Sequence, residues 1–139
     1  MKHAFYISTD KSKIDVALVH QYLSVESYWA KGRSIEVVKR SIENSICFGV
    51  YKGNDQVGFA RVVSDNAVFA WILDVFVLES YRKHGLGKQL MEAIMNHPDF
   101  QNLQRWGLAT EDAHGLYEQF GFIKIQRPGI FMQKVSKPS

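Results

Sequence analysis

Residues 67–78 read Ala-Val-Phe-Ala-Trp-Ile-Leu-Asp-Val-Phe-Val-Leu, apolar throughout except for Asp74. The run falls well short of the ~20 residues that cross a bilayer and is rich in β-formers. It is expected to be a strand buried on both faces at the centre of a sheet. Glu79 to His84 then reads as a loop. From Leu86 a helix is expected, with Leu86, Leu90, Met91, Ile94 and Met95 on one stripe and Lys88, Gln89 and Glu92 opposite, stopped by Asn96-His97-Pro98.

The other elements follow from shorter periodicities. His3 to Ser8 is a β-rich first strand. Ser12-x-x-Asp15 has the form of a capping box before a helical stretch reaching Leu23. Ser34 caps a second helix with Ile35, Val38 and Ile42 on one face. Ile46 to Lys52 and Gln56 to Ser64 form a hairpin across Gly53-Asn54-Asp55. Leu103 to Ala109 is a strand, and Ala113 to Phe120 a short helix closed by Gly121. Phe122 to Ile125 and Ile130 to Val135 are two last strands around Pro128-Gly129. The expected order is β-α-α-β-β-β-α-β-α-β-β, an α/β (α+β) mixed sheet in a single domain, 1–139, without the repeating βαβ of a doubly wound fold.

Composition narrows the functional classes. Charged residues make up 22% and hydrophobic residues 46%, which argues against disorder. The net charge of +3 comes from dispersed Lys and Arg, not from the stripe of a nucleic-acid binder, so no nucleic-acid partner is expected. One cysteine, Cys47, sits in an apolar run, so a disulfide framework and a four-cysteine metal site are excluded and no metal is expected. With no signal-peptide pattern and no spanning stretch, a cytoplasmic protein without a membrane partner is expected.

Tyr81-Arg82-Lys83-His84-Gly85-Leu86-Gly87-Lys88 stands between the apolar strand and the helix. Glycines let the backbone approach a ligand, and the first helical amides have no internal partners. With the helix dipole, Arg82 and Lys88, these amides suit a pyrophosphate. The competing reading is a plain strand-to-helix turn. The spacing matches neither Gly-x-x-x-x-Gly-Lys-Ser/Thr nor Gly-x-Gly-x-x-Gly.

Arg82-x-x-Gly85-x-Gly87, preceded by Val75-Phe76-Val77, resembles the acetyl-CoA signature of the GNAT superfamily of N-acetyltransferases. Ala113-His114-Gly115-Leu116-Tyr117-Glu118-Gln119-Phe120-Gly121-Phe122 is similar to that family's Ala-x-x-Leu-Tyr-x-x-x-Gly-Phe segment. The resemblance covers roughly residues 45–125 and implies a GNAT-like fold with acetyl-CoA (CoA) as cofactor. It implies that Val75, Phe76 and Val77 lie along the pantetheine arm, with an N–H near Phe76 or Val77 facing the thioester oxygen. It further implies that Arg82, Lys83, His84, Gly85, Leu86, Gly87 and Lys88 cradle the pyrophosphate, and that the Tyr117 hydroxyl protonates or hydrogen-bonds the departing thiolate. Thr110 stands where family members often carry Asn, and can make one of that residue's contacts to the cofactor arm.

The implied reaction is acetyl transfer to a primary amine by direct attack in a ternary complex. Asp74 is taken as the catalytic base candidate, since a carboxylate in an apolar strand is costly unless partnered; Glu111 and His114 are alternatives, as is a base acting through water. A structural hydrogen bond at a sheet bulge is the competing reading of Asp74. Tyr28 and Trp29, with Arg33 close by, are the candidate substrate-binding residues, either gripping an acceptor or capping the core. The acceptor is a small-molecule or peptide amine, and a homodimer is among the open oligomeric states. The rival reading is a non-catalytic acyl-CoA-binding or protein-interaction module of the same fold.

Overall fold

In a computed structural model that describes residues 4–136, the apolar runs become one five-stranded sheet. Its strands are β1 (Phe5–Ser8), β2 (Ile46–Lys52), β3 (Asp55–Ser64), β4 (Phe69–Val77) and β5 (Arg105–Gly107), in spatial order β1-β2-β3-β4-β5. β1 to β4 pair antiparallel and β5 joins β4 parallel. Four helices complete the mixed α+β fold: α1 (Val16–Gln21), α2 (Ile35–Glu43), α3 (Leu86–Met95) and α4 (His114–Glu118). A wide π turn, Tyr22–Glu26, prolongs α1.

The sheet separates two cores. On one face Leu86, Leu90, Met91 and Ile94 of α3 pack on Phe48, Ala60, Val62, Ala70 and Ile72, with Tyr117 of α4 at the margin. On the other, Val19, Leu23, Val38 and Ile42 pack on Cys47, Phe59 and Phe76. Both sets recur at helical spacing, as the sequence requires.

β4 is not buried on both faces. Buried and half-buried residues alternate along it, and the half-buried Trp71, Leu73 and Val75 line a recess. The strand also changes sides. Phe59 pairs with Phe76 and Arg61 with Leu73, so an extra residue is inserted opposite Ala60. Asp74, at φ +55, is in the left-handed region at this bulge. Before the bulge Ala70 and Ile72 face α3; after it Val75 and Val77 do, and Phe76 joins the opposite core.

Three further expectations are corrected. Ser12 does not cap α1: its hydroxyl bonds Asp10 Oδ1 at 2.6 Å, and Asp15 is the cap, accepting from Leu18 N at 3.0 Å. β5 is much shorter than Leu103 to Ala109, because the chain leaves β4 after Gly107. The two last strands are absent: Phe122 to Ile125 and Ile130 to Val135 pair with nothing among the described residues. Their β-propensity has no strand edge to act on, since the neighbouring β5 is so short and Pro128 opens a 3-10 turn. As a result Ile123, Ile125, Ile130, Phe131, Met132 and Val135 are exposed, Met132 almost completely at 97%. His3, given to the first strand, lies outside the described residues.

Candidate functional site

β4 and β5 pair only where Phe69, Ala70 and Trp71 meet Arg105, Trp106 and Gly107. A Cβ at Gly107 would overlap the Trp71 ring, so close contact of the two strands here depends on that glycine. Beyond this point the strands part. The edge of β4 from Ile72 to Val77 that faces away from β3 has no strand neighbour among the described residues. Backbone groups on such an edge can accept an added extended chain.

Two recesses open along this gap. One, of about 520 Å³, runs from Val75, Phe76 and Val77 to Arg82, Lys83 and the start of α3. The other, of about 380 Å³, lies between the α1–α2 connection and the 108–113 segment. Trp29, Val75, Asp112, Ala113 and Tyr117 line both, so the recesses meet at these residues.

The first recess contains most of the residues that the resemblance assigns to cofactor: Val75, Phe76, Val77, Arg82, Lys83, Gly85, Leu86, Gly87 and Lys88. Lys83 at φ +70 and Gly85 at φ +74 turn the chain tightly before α3. Gly85, the N-cap, contributes no side chain, and no described residue accepts from the amides of Leu86, Gly87 or Lys88. Such amides at the positive end of a helix dipole suit an anion. The two glycines differ. Gly85 is needed for its backbone conformation. A Cβ at Gly87 would meet only Leu116 Cδ2 at 3.4 Å, so the fold does not require glycine there.

Arg82 is partly engaged, donating from Nε to Val77 O at 3.0 Å and from Nη2 to Tyr22 Oη at 2.9 Å. His84 lines neither recess and packs on the Phe5 ring at 5.6 Å. Thr110 lines the second recess, where its Oγ1 accepts from Ala113 N at 3.0 Å and steadies the turn into α4.

The second recess is walled by Tyr28, Trp29 and Trp71. Tyr28 Oη accepts from Glu111 N at 3.0 Å, tying the α1–α2 connection to the opposite wall. Trp29 donates from Nε1 to Asp74 Oδ1 at 2.8 Å. Asp74 Oδ2 accepts from Arg33 Nη1 at 2.9 Å and Arg61 Nε at 2.6 Å. All three side chains are largely buried, with Arg33 14%, Arg61 12% and Asp74 1% exposed. Both oxygens of this carboxylate are therefore occupied by donors, two of them cationic. This is the bulge reading of Asp74. Glu111 and Asp112 line the recess with exposed side chains, and His114 lines neither recess.

Tyr117 is buried, and its phenol is pushed up to about 12, by desolvation first and then by Tyr28 and Asp112. No described residue bonds its hydroxyl, yet Tyr51 Oη is the only fully buried unpartnered side-chain polar atom among the described residues. The Tyr117 hydroxyl therefore has access to the recesses. Cys47 lines neither recess, and burial raises its thiol to about 11.

Sequence reading missed Asp112, Trp71, Gly107 and Arg61. Arg61 had a visible signal: it is a lone charge in the apolar strand Val57–Val63, as Asp74 is in the next. Among the described residues no group of three His, Cys, Asp or Glu could hold a metal ion, and no helix is long and apolar enough to cross a membrane.

A mixed sheet parted after its fourth strand, with a helix N-terminus on one side of the gap and a walled recess on the other, fits a class of group-transfer enzymes. Residues 43–124 match the family described as "Acetyltransferase (GNAT) domain". The chain therefore belongs to the GNAT acetyltransferase family and is an acyltransferase. Its structure is similar to that of a GNAT-family protein of Xanthomonas campestris pv. campestris, with 46% identity and a TM-score of 0.93 over 95% of this chain and 93% of that one. It is 30% identical to the uncharacterized N-acetyltransferase ycf52 of Gracilaria tenuistipitata var. liui, over 76% of this chain and 69% of that one. A "predicted acetyltransferase with acetyl-CoA" from Clostridium acetobutylicum shares the fold at 12% identity and a TM-score of 0.68, covering 95% of each chain.

Proposed function

We propose that the chain transfers the acetyl group of acetyl-CoA to a primary amine by direct attack while both substrates are bound. One observation carries this reading: the unpartnered Tyr117 hydroxyl stands where two recesses of different character meet. The recess at the α3 start suits acetyl-CoA, with free amides and Lys88 for its pyrophosphate and the open edge of β4 for its extended arm. The walled recess suits the acceptor.

The amine nitrogen attacks the thioester carbon, the C–S bond breaks, and the sulfur leaves with the electron pair. An N–H near Phe76 or Val77 would stabilise charge on the carbonyl oxygen. A phenol titrating near 12 is a weaker acid than a thiol of about 8.5, so Tyr117 holds the leaving thiolate by a hydrogen bond and keeps its proton. The acceptor must also lose a proton. Asp112 lines both recesses with an exposed carboxylate, which supports it over the triply bonded Asp74 as the acceptor of that proton through water. Cys47, buried away from both recesses, does not support an acetyl-enzyme route.

The test is release of CoA thiol across a panel of amines. Tyr117→Phe should lower kcat about 10²-fold with CoA affinity near wild type, because the lost bond forms mainly in the transition state. The loss should shrink with a donor whose thiol is more acidic. Full kcat in that variant would make Tyr117 a packing residue. A CoA-induced rise in Tm with no turnover on any amine would instead support a non-catalytic binding module. A homodimer is a second proposal, supported by the exposed apolar side chains of 123–135. Sedimentation at micromolar concentration, compared with an Ile130→Ser/Met132→Ser variant, tests it.

A further inference from the structure

We infer that the acceptor is an amine carrying a carboxylate on an apolar or aromatic body. This rests on the acetyl-transfer reading and deepens it, since it assigns Arg33 a role in choosing the substrate. The ion cluster at the acceptor recess, where Arg33 and Asp74 line the wall, holds two guanidiniums and one carboxylate, so its net charge is positive. Arg61 is turned away, donating to Ser45 Oγ at 3.1 Å as well as to Asp74, and it does not line the recess. Arg33 does line it.

Only Nη1 of Arg33 is engaged. Its Nε and Nη2 have no partner among the described residues, yet neither is a fully sealed unpartnered atom, so both reach solvent. A guanidinium with donors to spare, in a recess that also holds the rings of Tyr28, Trp29 and Trp71, suits a carboxylate. On the opposite wall Glu111 and Asp112 are acidic, and Asp112 also lines the junction where the amine must react. The recess thus carries a guanidinium with free donors on one wall, acidic side chains on the other with Asp112 at the junction, and aromatic rings beside both.

Its walls are held in place. Trp29 is fixed by Asp74, Tyr28 by Glu111 N, and Trp71 by its contact with Gly107. A carboxylated amine would set each charge against its opposite and its body against the rings. A diamine would put its second cation beside a net positive cluster, and a plain alkylamine would leave the Arg33 donors without a partner. A phosphate dianion would exceed the single net charge the cluster offers.

The experiment compares matched acceptors by CoA release: phenylalanine with 2-phenylethylamine, tryptophan with tryptamine, and phosphoethanolamine alongside. The carboxylated member of each pair should have a kcat/KM about 10- to 100-fold higher. Arg33→Gln should bring that ratio close to one, Arg33→Lys should restore part of it, and both should keep the CoA-induced rise in Tm. Equal or inverted ratios in the wild type would overturn the inference, as would preference for the phosphorylated amine or an unchanged ratio in Arg33→Gln. If CoA raises Tm but neither set turns over, the substrate assignment fails and the cofactor site stands. If CoA produces no shift and no turnover occurs, the acetyl-transfer reading fails first, and this inference with it.

Discussion

Replacing Asp74 by Asn separates a structural carboxylate from a catalytic one. The substitution is nearly isosteric, and Asn tolerates the left-handed backbone about as well as Asp, so the φ of +55 adds little cost. The amide oxygen can still accept from Trp29 Nε1. What disappears is the negative charge between Arg33 and Arg61, both largely buried. Removing one partner of such a group typically costs about 3–5 kcal/mol. With the Trp29 bond kept, the lower end of the range is expected, about 3 kcal/mol. For a chain of this length that corresponds to a fall in Tm of about 10–15 °C. Thermal unfolding measures it directly. Adding Arg61→Met to Asp74→Asn should recover at least about 1 kcal/mol, because the two guanidiniums then no longer repel one another. Turnover below the transition should keep most of its kcat, with the larger change in acceptor KM through Arg33. A variant with wild-type Tm and kcat reduced 100-fold would refute this reasoning and return Asp74 to the role of base.

Gly87→Glu should leave the fold intact, since a side chain there meets only Leu116 at ordinary contact distance, but should abolish the CoA-induced rise in Tm by placing an anion among the free amides. Stability should fall as pH rises above about 8.5. Cys47, Tyr51 and Tyr117 all have folded-state values raised by burial, to about 11, 12 and 12, so the native state holds protons that the unfolded chain releases first. The loss by pH 10 is on the order of 2 kcal/mol, mostly through Cys47, and urea titrations of Cys47→Ala should show a shallower decline. Gly107→Ala should destabilise by about 1–3 kcal/mol through overlap with the Trp71 ring, and should raise acceptor KM while leaving the CoA shift unchanged.

The glycine turn and the Leu-Tyr segment were legible because each is local: a left-handed residue before a helix and an apolar face at helical spacing leave marks on neighbouring positions. Ser34 was legible as a cap for the same reason, whereas Ser12 was misread because its own hydroxyl is taken up by Asp10, and Asp15, three residues on, does the capping. The parting of β4 and β5 was not legible. The last pair before it joins Trp71 to Gly107, far apart in the chain, and sheet pairing is decided by such non-local contacts. The same limit explains the two last strands: Ile123 and Ile130 carry β-propensity, which does not reveal whether an edge is there to receive them. Asp74 and Arg61 showed as isolated charges, but their pairing, with Arg33 joining, needed the fold.

The bulge at Asp74 makes chain length at that point matter as much as chemistry. β4 serves the α3 core with Ala70 and Ile72, then with Val75 and Val77, and because Ile72 and Val75 are three residues apart only the bulge keeps both pairs on that side. Deleting residue 74 would keep Val75 and Val77 on the α3 side, since Ile72 and Val75 would then stand two apart, but it would remove the carboxylate that holds Trp29, Arg33 and Arg61. A residue inserted elsewhere in β4, with the bulge kept, would instead turn Val75 and Val77 toward α1 and α2, and Phe76 would leave its stack with Tyr22 for the opposite layer. Relatives of this chain should therefore tolerate exchanges along the strand more readily than insertions or deletions within it.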